Sequence, residues 1–216
     1  ELLQAINTLC QQEGVTLFML LLAAFKVLLA RNTNQSDILV GSPIANRNHA
    51  QLEGLIGFFV NTLVLRTDLG QNPTFRELLK RVRQTTLEAY SNQDIPFEQL
   101  VALLQPERNL SISPFFQVML VLQNVPVRYE PLVGIEVEPY GVEETTAKFD
   151  MTLFFEEHVY GLEGKFEYNT DLFDRETIIG LAEQFSRLLE GIVRNLSELL
   201  QTQLFIAFSE KPQQGL

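Results

Sequence analysis

The chain has 216 residues, 46% of them apolar and 20% charged, which suits one domain or one large lobe with a substantial core. Its formal net charge of −11 comes from acidic residues spread along the sequence, and no basic stripe is present. That balance argues against DNA, RNA or any other phosphate-rich partner. Cys10 is the single cysteine, so no internal disulfide or cysteine-based zinc site can form, and a reducing, cytoplasmic setting is expected.

In chain order, Leu2, Leu3, Ile6, Leu9 and Cys10 form a helical stripe that Gly14 can terminate. Thr16 precedes a second helix, from Leu17 to about Arg31, apolar nearly all round and so expected to be buried. The apolar run containing it is broken by Lys26 and falls short of the roughly 18 residues of a membrane span, so no membrane is expected. No basic n-region suggests a signal peptide. The first residue is Glu1 rather than methionine, which suggests a fragment or a processed product.

A polar turn over 32–36 leads into a strand from Asp37 to Ala45, then into a loop carrying Asn46, Arg47, Asn48 and His49. Phe58 to Thr67 reads as a strand apolar on both faces, so both faces are expected to be covered. Thr74 and Glu77 have capping-box spacing and open a helix whose inward stripe runs from Phe75 to Tyr90. Its basic residues, Arg76, Lys80, Arg81 and Arg83, read either as a solvated face or as a docking patch for an acidic partner. A short helix should follow Pro96. Phe115 to Asn124 reads as a strand, and further strands are expected at Ile135–Pro139, Phe149–Phe155 and Leu162–Tyr168. Asp174 should cap a long amphipathic helix with Ile178, Leu181, Phe185, Leu188 and Ile192 inward. From Leu196 onward a loosely held tail or interdomain linker is expected, so 1–195 is the folded unit and 196–216 the tail.

Three blocks stand out. They are Ile56-Gly-Phe-Phe-Val-Asn-Thr-Leu-Val-Leu-Arg66, Asn92-Gln-Asp-Ile-Pro-Phe-Glu-Gln-Leu100 and Ser113-Pro-Phe-Phe-Gln-Val-Met-Leu-Val-Leu-Gln-Asn124. In this order they resemble the later motifs of condensation domains, the amide-bond-forming units of nonribosomal peptide synthetases. The Thr16–Arg31 helix, Gln35–Arg47 and Lys148–Leu153 extend the resemblance over nearly the whole chain. The catalytic His-His-x-x-x-Asp-Gly signature of that family is absent, and the two histidines, His49 and His158, are isolated. Neither has a carboxylate or nucleophile partner nearby in sequence, so both read as incidental.

The resemblance implies an α/β fold, a chloramphenicol-acetyltransferase-like lobe with long helices packed on a mixed sheet. It implies the C-terminal half of a two-lobed domain whose tunnel brings together two carrier-bound thioesters. Substrates would arrive on the 4'-phosphopantetheine arms of peptidyl carrier proteins, with no cofactor or metal bound to this chain. An N-terminal condensation lobe and a neighbouring adenylation domain would be its other partners. This half would then supply tunnel wall, floor and carrier docking, with no catalytic residue of its own and no activity alone.

Gln117 is the first candidate for a tunnel-facing amide, against the alternative that it only satisfies nearby main chain. Asn61 is a second, with the same alternative. Ser42 and Arg47 belong to the segment resembling the loop that closes the tunnel floor. Asp150 and Arg108 read as structural ion-pair residues, although Asn109 stands where the family has an acidic residue. Two other functions stay open: a non-catalytic carrier-binding module, or the matching lobe of an epimerization or cyclization domain.

Overall fold

The computed structural model describes residues 1–47, 50–106, 113–123 and 146–196. Helix α1 (Leu2–Glu13) ends at Gly14, which adopts φ 64, a left-handed turn that glycine makes without steric cost. Helix α2 (Leu17–Thr33) starts where the Thr16 hydroxyl accepts the Met19 N–H at 3.3 Å. Strand β1 (Asp37–Ile44), the short helix α3 (Ala50–Glu53) and strand β2 (Asn61–Asp68) follow. Helix α4 (Phe75–Ser91) carries the expected capping box: the Thr74 N–H donates to Glu77 Oε2 at 2.8 Å and the Glu77 N–H to Thr74 Oγ1 at 3.2 Å. The Thr74 N–H and the Thr74 hydroxyl, both donating to the carboxylate, hold the Glu77 carboxyl below its ordinary range. Then come α5 (Phe97–Leu104), β3 (Val118–Gln123), β4 (Met151–His158), β5 (Gly161–Tyr168) and α6 (Arg175–Arg194).

The strands form one mixed sheet in the order β2-β1-β3-β4-β5. The outer pairs, β1 with β2 and β4 with β5, are antiparallel, while β3 lies parallel to both β1 and β4. Side chains alternate between the faces. Ile38, Val40, Leu63, Leu65, Leu120, Leu153 and Phe155 point to one side, where α1, α2, α4 and α6 bury them in a single core. Gly41 and Met119, adjacent across β1 and β3, point to the other side.

That second side departs from the expectation that both faces of β2 are covered. Burial along β2 alternates, with Asn61, Leu63, Leu65 and Thr67 inside and Arg66 and Asp68 outside. The strand also starts three residues later than its apolar pattern suggests. Phe58 stands 90% exposed and Ile56 fully so, because the segment before Asn61 leaves the sheet. Strand β3 starts at Val118 because Phe115, at φ 69, turns the chain first. Asp174 occupies the N-cap of α6, but its side chain makes no capping bond there. Leu196 is not the start of a loose tail: it is 7% exposed in the core, and its carbonyl accepts the Arg76 N–H at 3.1 Å. The strand expected at Ile135–Pro139 and the tail beyond 196 lie outside the described residues.

Lys26 sits in the middle of α2 with no solvent exposure. Its amine donates to the carbonyls of Ile38 at 3.0 Å and Leu65 at 2.6 Å, linking the helix to β1 and β2 at once. Burial pulls its pKa down to about 7, against the opposing pull of the Asp37 charge. Among the described residues no single helix is long and apolar enough to cross a membrane. Above pH 7 the unfolded chain keeps a lysine proton that the folded chain has released, so this group makes stability rise with pH. The Cys10 thiol, raised by burial from 9.0 to about 11, acts in the opposite direction only above its ordinary value. Urea unfolding of the native chain is therefore expected to show a positive Lys26-dependent slope between about pH 7 and 9, absent from Lys26→Met. Parallel curves for the two proteins would show that the amine stays charged.

Candidate functional site

The polar candidates do not gather at one point: Asn61 and Arg47 lie where β1 ends and β2 begins, whereas Gln117, two residues before the Met119 that pairs with Gly41, lies toward the start of β1. Asn61, 8% exposed, is the first residue of β2. Its Nδ2 donates to the carbonyls of Gln93 and Ile95, both at 2.8 Å, and its Oδ1 accepts the N–H of Thr62 at 2.9 Å and of Phe97 at 3.0 Å. Two donors and two acceptors exhaust a side-chain amide. Asn61 is therefore a structural clamp on the α4–α5 connection rather than a group left for substrate. It also supplies the cap that Pro96, which has no side-chain hydrogen bond of its own to give, leaves open at the start of α5.

Phe97 leads from this clamp into an aromatic cluster. Its ring lies 6.2 Å from Phe115, edge-on, and 5.7 Å from Phe116, and Phe116 lies 5.3 Å from Phe149. Phe116 is buried over Gly41, where a side-chain carbon would overlap its ring. The strand glycine is thus a slot cut for an aromatic plug. This contact lies on the face of the sheet turned away from the helices.

Gln117 follows the plug. Its Nε2 donates to the Ser113 carbonyl at 3.2 Å, and its main-chain carbonyl accepts the Asp150 N–H at 3.0 Å. One amide N–H and the side-chain oxygen have no partner among the described residues, and the side chain is half-buried. Of the expected tunnel residues, Gln117 alone keeps such polar capacity, among the described residues, on the face away from α1, α2, α4 and α6. Ser42 is buried on the helix-facing side of β1, two positions from the end of that strand. Arg47 is held in its own loop, donating to the carbonyls of Leu52, Leu55 and Gly57 and stacking 4.3 Å from the centre of the Phe59 ring. It organises the turn that exposes Ile56 and Phe58. Asp150 makes no ion pair among the described residues and joins β3 to β5 through its main chain, accepting the Asn169 N–H at 3.0 Å. Arg108 and His49 lie outside the described residues.

Two other expectations change. His158 does have carboxylates nearby: its Nε2 lies 3.4 Å from Glu163 and 3.9 Å from Glu156, and its ring stacks on Tyr160 at 4.9 Å. No nucleophile accompanies them, and β4–β5 pairing rather than sequence proximity brings Glu163 close. Three of the four basic residues of α4 are engaged within the fold, and Lys80 is exposed. Arg76 pairs with Glu13 at 2.9 Å, Arg81 binds the carbonyls of Asp68 and Gly70, and Arg83 donates to the Gly14 carbonyl at 3.0 Å. Among the described residues no group of three or more acidic, cysteine or histidine side chains could hold a metal. A cavity of about 360 Å³ between α1, α6 and β4–β5 is lined by Ile6, Phe155, Phe166, Phe185 and Leu189, and none of the candidate residues reaches it.

Asn61→Ala removes four bonds to main chain at a buried point and is expected to lower stability by about 2–4 kcal/mol in urea unfolding. A loss under about 1 kcal/mol would mean that water replaces the clamp. Arg47→Lys keeps the charge but not the fork, and lysine cannot stack as the guanidinium does. Amide exchange over 52–57 should speed up several-fold in that variant, with a loss of only about 1–2 kcal/mol in overall stability.

Comparisons with known proteins agree with this architecture. A family model for the condensation domain matches residues 1–214. A linear gramicidin synthase of Brevibacillus parabrevis is 54% identical over 197 residues, which is 90% of this chain and 4% of that protein. The four-domain nonribosomal peptide synthetase holo-AB3403, bound to AMP and glycine, superposes with a TM-score of 0.85 over 92% of this chain and 16% of its own, at 23% identity, a likeness of fold. The X-domain from teicoplanin biosynthesis, in its complex with OxyB, gives a TM-score of 0.82 at 29% identity, over 93% of this chain and 45% of that one. The chain thus spans a small part of the synthetases it matches and less than half of the X-domain chain. With a mixed sheet like that of these neighbours and a family match along nearly its whole length, the chain belongs to the condensation-domain family.

Proposed function

We propose that this chain is the C-terminal lobe of a condensation domain and helps join two carrier-bound thioesters by amide-bond formation. One observation carries the reading: the superposition on the related X-domain covers 93% of this chain but 45% of that one, while the His-His-x-x-x-Asp-Gly signature is absent from this sequence. The reaction forms a C–N bond and breaks a C–S bond. The acceptor amine attacks the donor carbonyl, the pantetheine thiolate departs, and a proton passes from nitrogen to sulfur. Such aminolysis needs a neutral, aligned amine and stabilisation of the tetrahedral oxygen.

Among the described residues Gln117 is the group suited to aligning reactants, offering an N–H and a carbonyl oxygen on the face of the sheet away from α1, α2, α4 and α6. The Arg47-held loop and this face would meet an N-terminal lobe carrying the histidines. Peptidyl carrier proteins would deliver both substrates on phosphopantetheine arms, with an adenylation domain as neighbour and no cofactor held by this chain. A cytoplasmic setting fits the lone, buried cysteine.

A second reading, a non-catalytic docking module, is favoured by one finding: the related X-domain was solved in complex with another protein, OxyB. Reconstitution separates the two. Joined to its matching N-terminal half, the chain should form amide from carrier-loaded thioesters, and Gln117→Ala should lower the rate roughly tenfold or more with little change in unfolding temperature. Binding of carrier protein without turnover, with the matching half present, would establish the docking reading instead.

A further inference from the structure

Among the described residues six non-glycine positions have positive φ: Asn34, Asn46, Gln71, Asn72, Gln105 and Phe115. Five are side-chain amides. The sixth is a bulky aromatic, for which this region is a steric outlier. Phe115 is the centre of a γ-turn, closed by the Phe116 N–H donating to the Pro114 carbonyl at 2.9 Å. The positive-φ hand of that turn is the rare, strained one, which glycine would adopt freely. Retained strain of this kind gathers where a side chain is held for a task.

Filling the slot over Gly41 does not explain this phenylalanine, because Phe116 already fills it. Phe115 stays half-buried, backed edge-on by Phe97, whose main chain the Asn61 clamp fixes. The Gln117 side chain bonds back to Ser113, closing the turn with Phe115 at its apex. An aromatic ring is thus held rigidly one residue from the plug and two from the amide with spare polar capacity. An aromatic surface beside a few polar groups is the usual makeup of a site for a small apolar moiety.

We propose that Phe115 is a specificity-determining residue whose ring receives the apolar side chain of a carrier-bound aminoacyl thioester. This rests on the reading of the chain as a condensation lobe. The strained turn fixes the ring, so selectivity comes from a preformed wall and not from a side chain ordered on binding.

The test compares Phe115→Gly and Phe115→Leu in the chain joined to its N-terminal half. Phe115→Gly relieves the turn and should unfold at the native temperature or above it. The preference for phenylalanyl over alanyl thioester, as a ratio of kcat/KM, should fall about tenfold or more, while Phe115→Leu keeps part of it. A preference within about twofold of the native value, or a clearly lower unfolding temperature for Phe115→Gly, would overturn the proposal. A second measurement does not depend on turnover. Carbon-13 ring signals of Phe115, assigned with the leucine variant, should shift when phenylalanyl-pantetheine amide is added to the joined protein. Unmoved signals would sink the proposal while leaving amide formation standing; shifted signals without amide formation would support the ring's role and count against the catalytic reading.

Discussion

The junction of β2 with the α4–α5 connection depends on one residue, Asn61. Its amide commits all four hydrogen-bonding positions to main chain, drawing the α4–α5 connection and the first turn of α5 onto the start of β2. A buried amide with any position unfilled would be costly, so the arrangement is close to all-or-none. Phe97 takes its position from this clamp, and Phe97 in turn backs Phe115 and Phe116. Through that relay a polar residue in a strand governs the placement of an aromatic cluster on the opposite face of the sheet.

Much of the fold was legible in the sequence because its signals are local. The Thr74 cap, the Gly14 stop and the inward stripe of α6 each depend on a few neighbouring residues, and each appears as expected. Where the reading failed, the deciding fact lay elsewhere in the chain. Phe58 and Phe59 carry strong strand propensity, yet the guanidinium of Arg47 draws the carbonyls before them into a separate turn. Glu163 reaches His158 only because β4 and β5 pair in register. Leu196 reads as linker, and its burial against α4 is visible only in three dimensions.

The polar residues singled out from the sequence differ in how much hydrogen-bonding capacity the fold leaves them. Polar residues at Asn61 and Gln117 stood out against apolar strands, but sequence could not show that Asn61 has no capacity left while Gln117 retains some. Two signals went unused. An isolated glycine within β1 hinted at a close approach, which Phe116 makes, and a lysine in the middle of an apolar helix hinted at a buried partner, which the Ile38 and Leu65 carbonyls provide. Helices α1, α2, α4 and α6 cover one side of the sheet, and the other holds the aromatic cluster and Gln117.

The tie between Leu196 and Arg76 bears on mechanics. The N–H of Arg76 is one of the unsatisfied donors at the start of α4, and the Leu196 carbonyl accepts it just after α6 ends. The last described residue is therefore fastened to the start of α4, so the end of one helix and the beginning of another share a single restraint. A disturbance at either terminus would be felt at the other, although 120 positions separate Arg76 from Leu196 in the sequence.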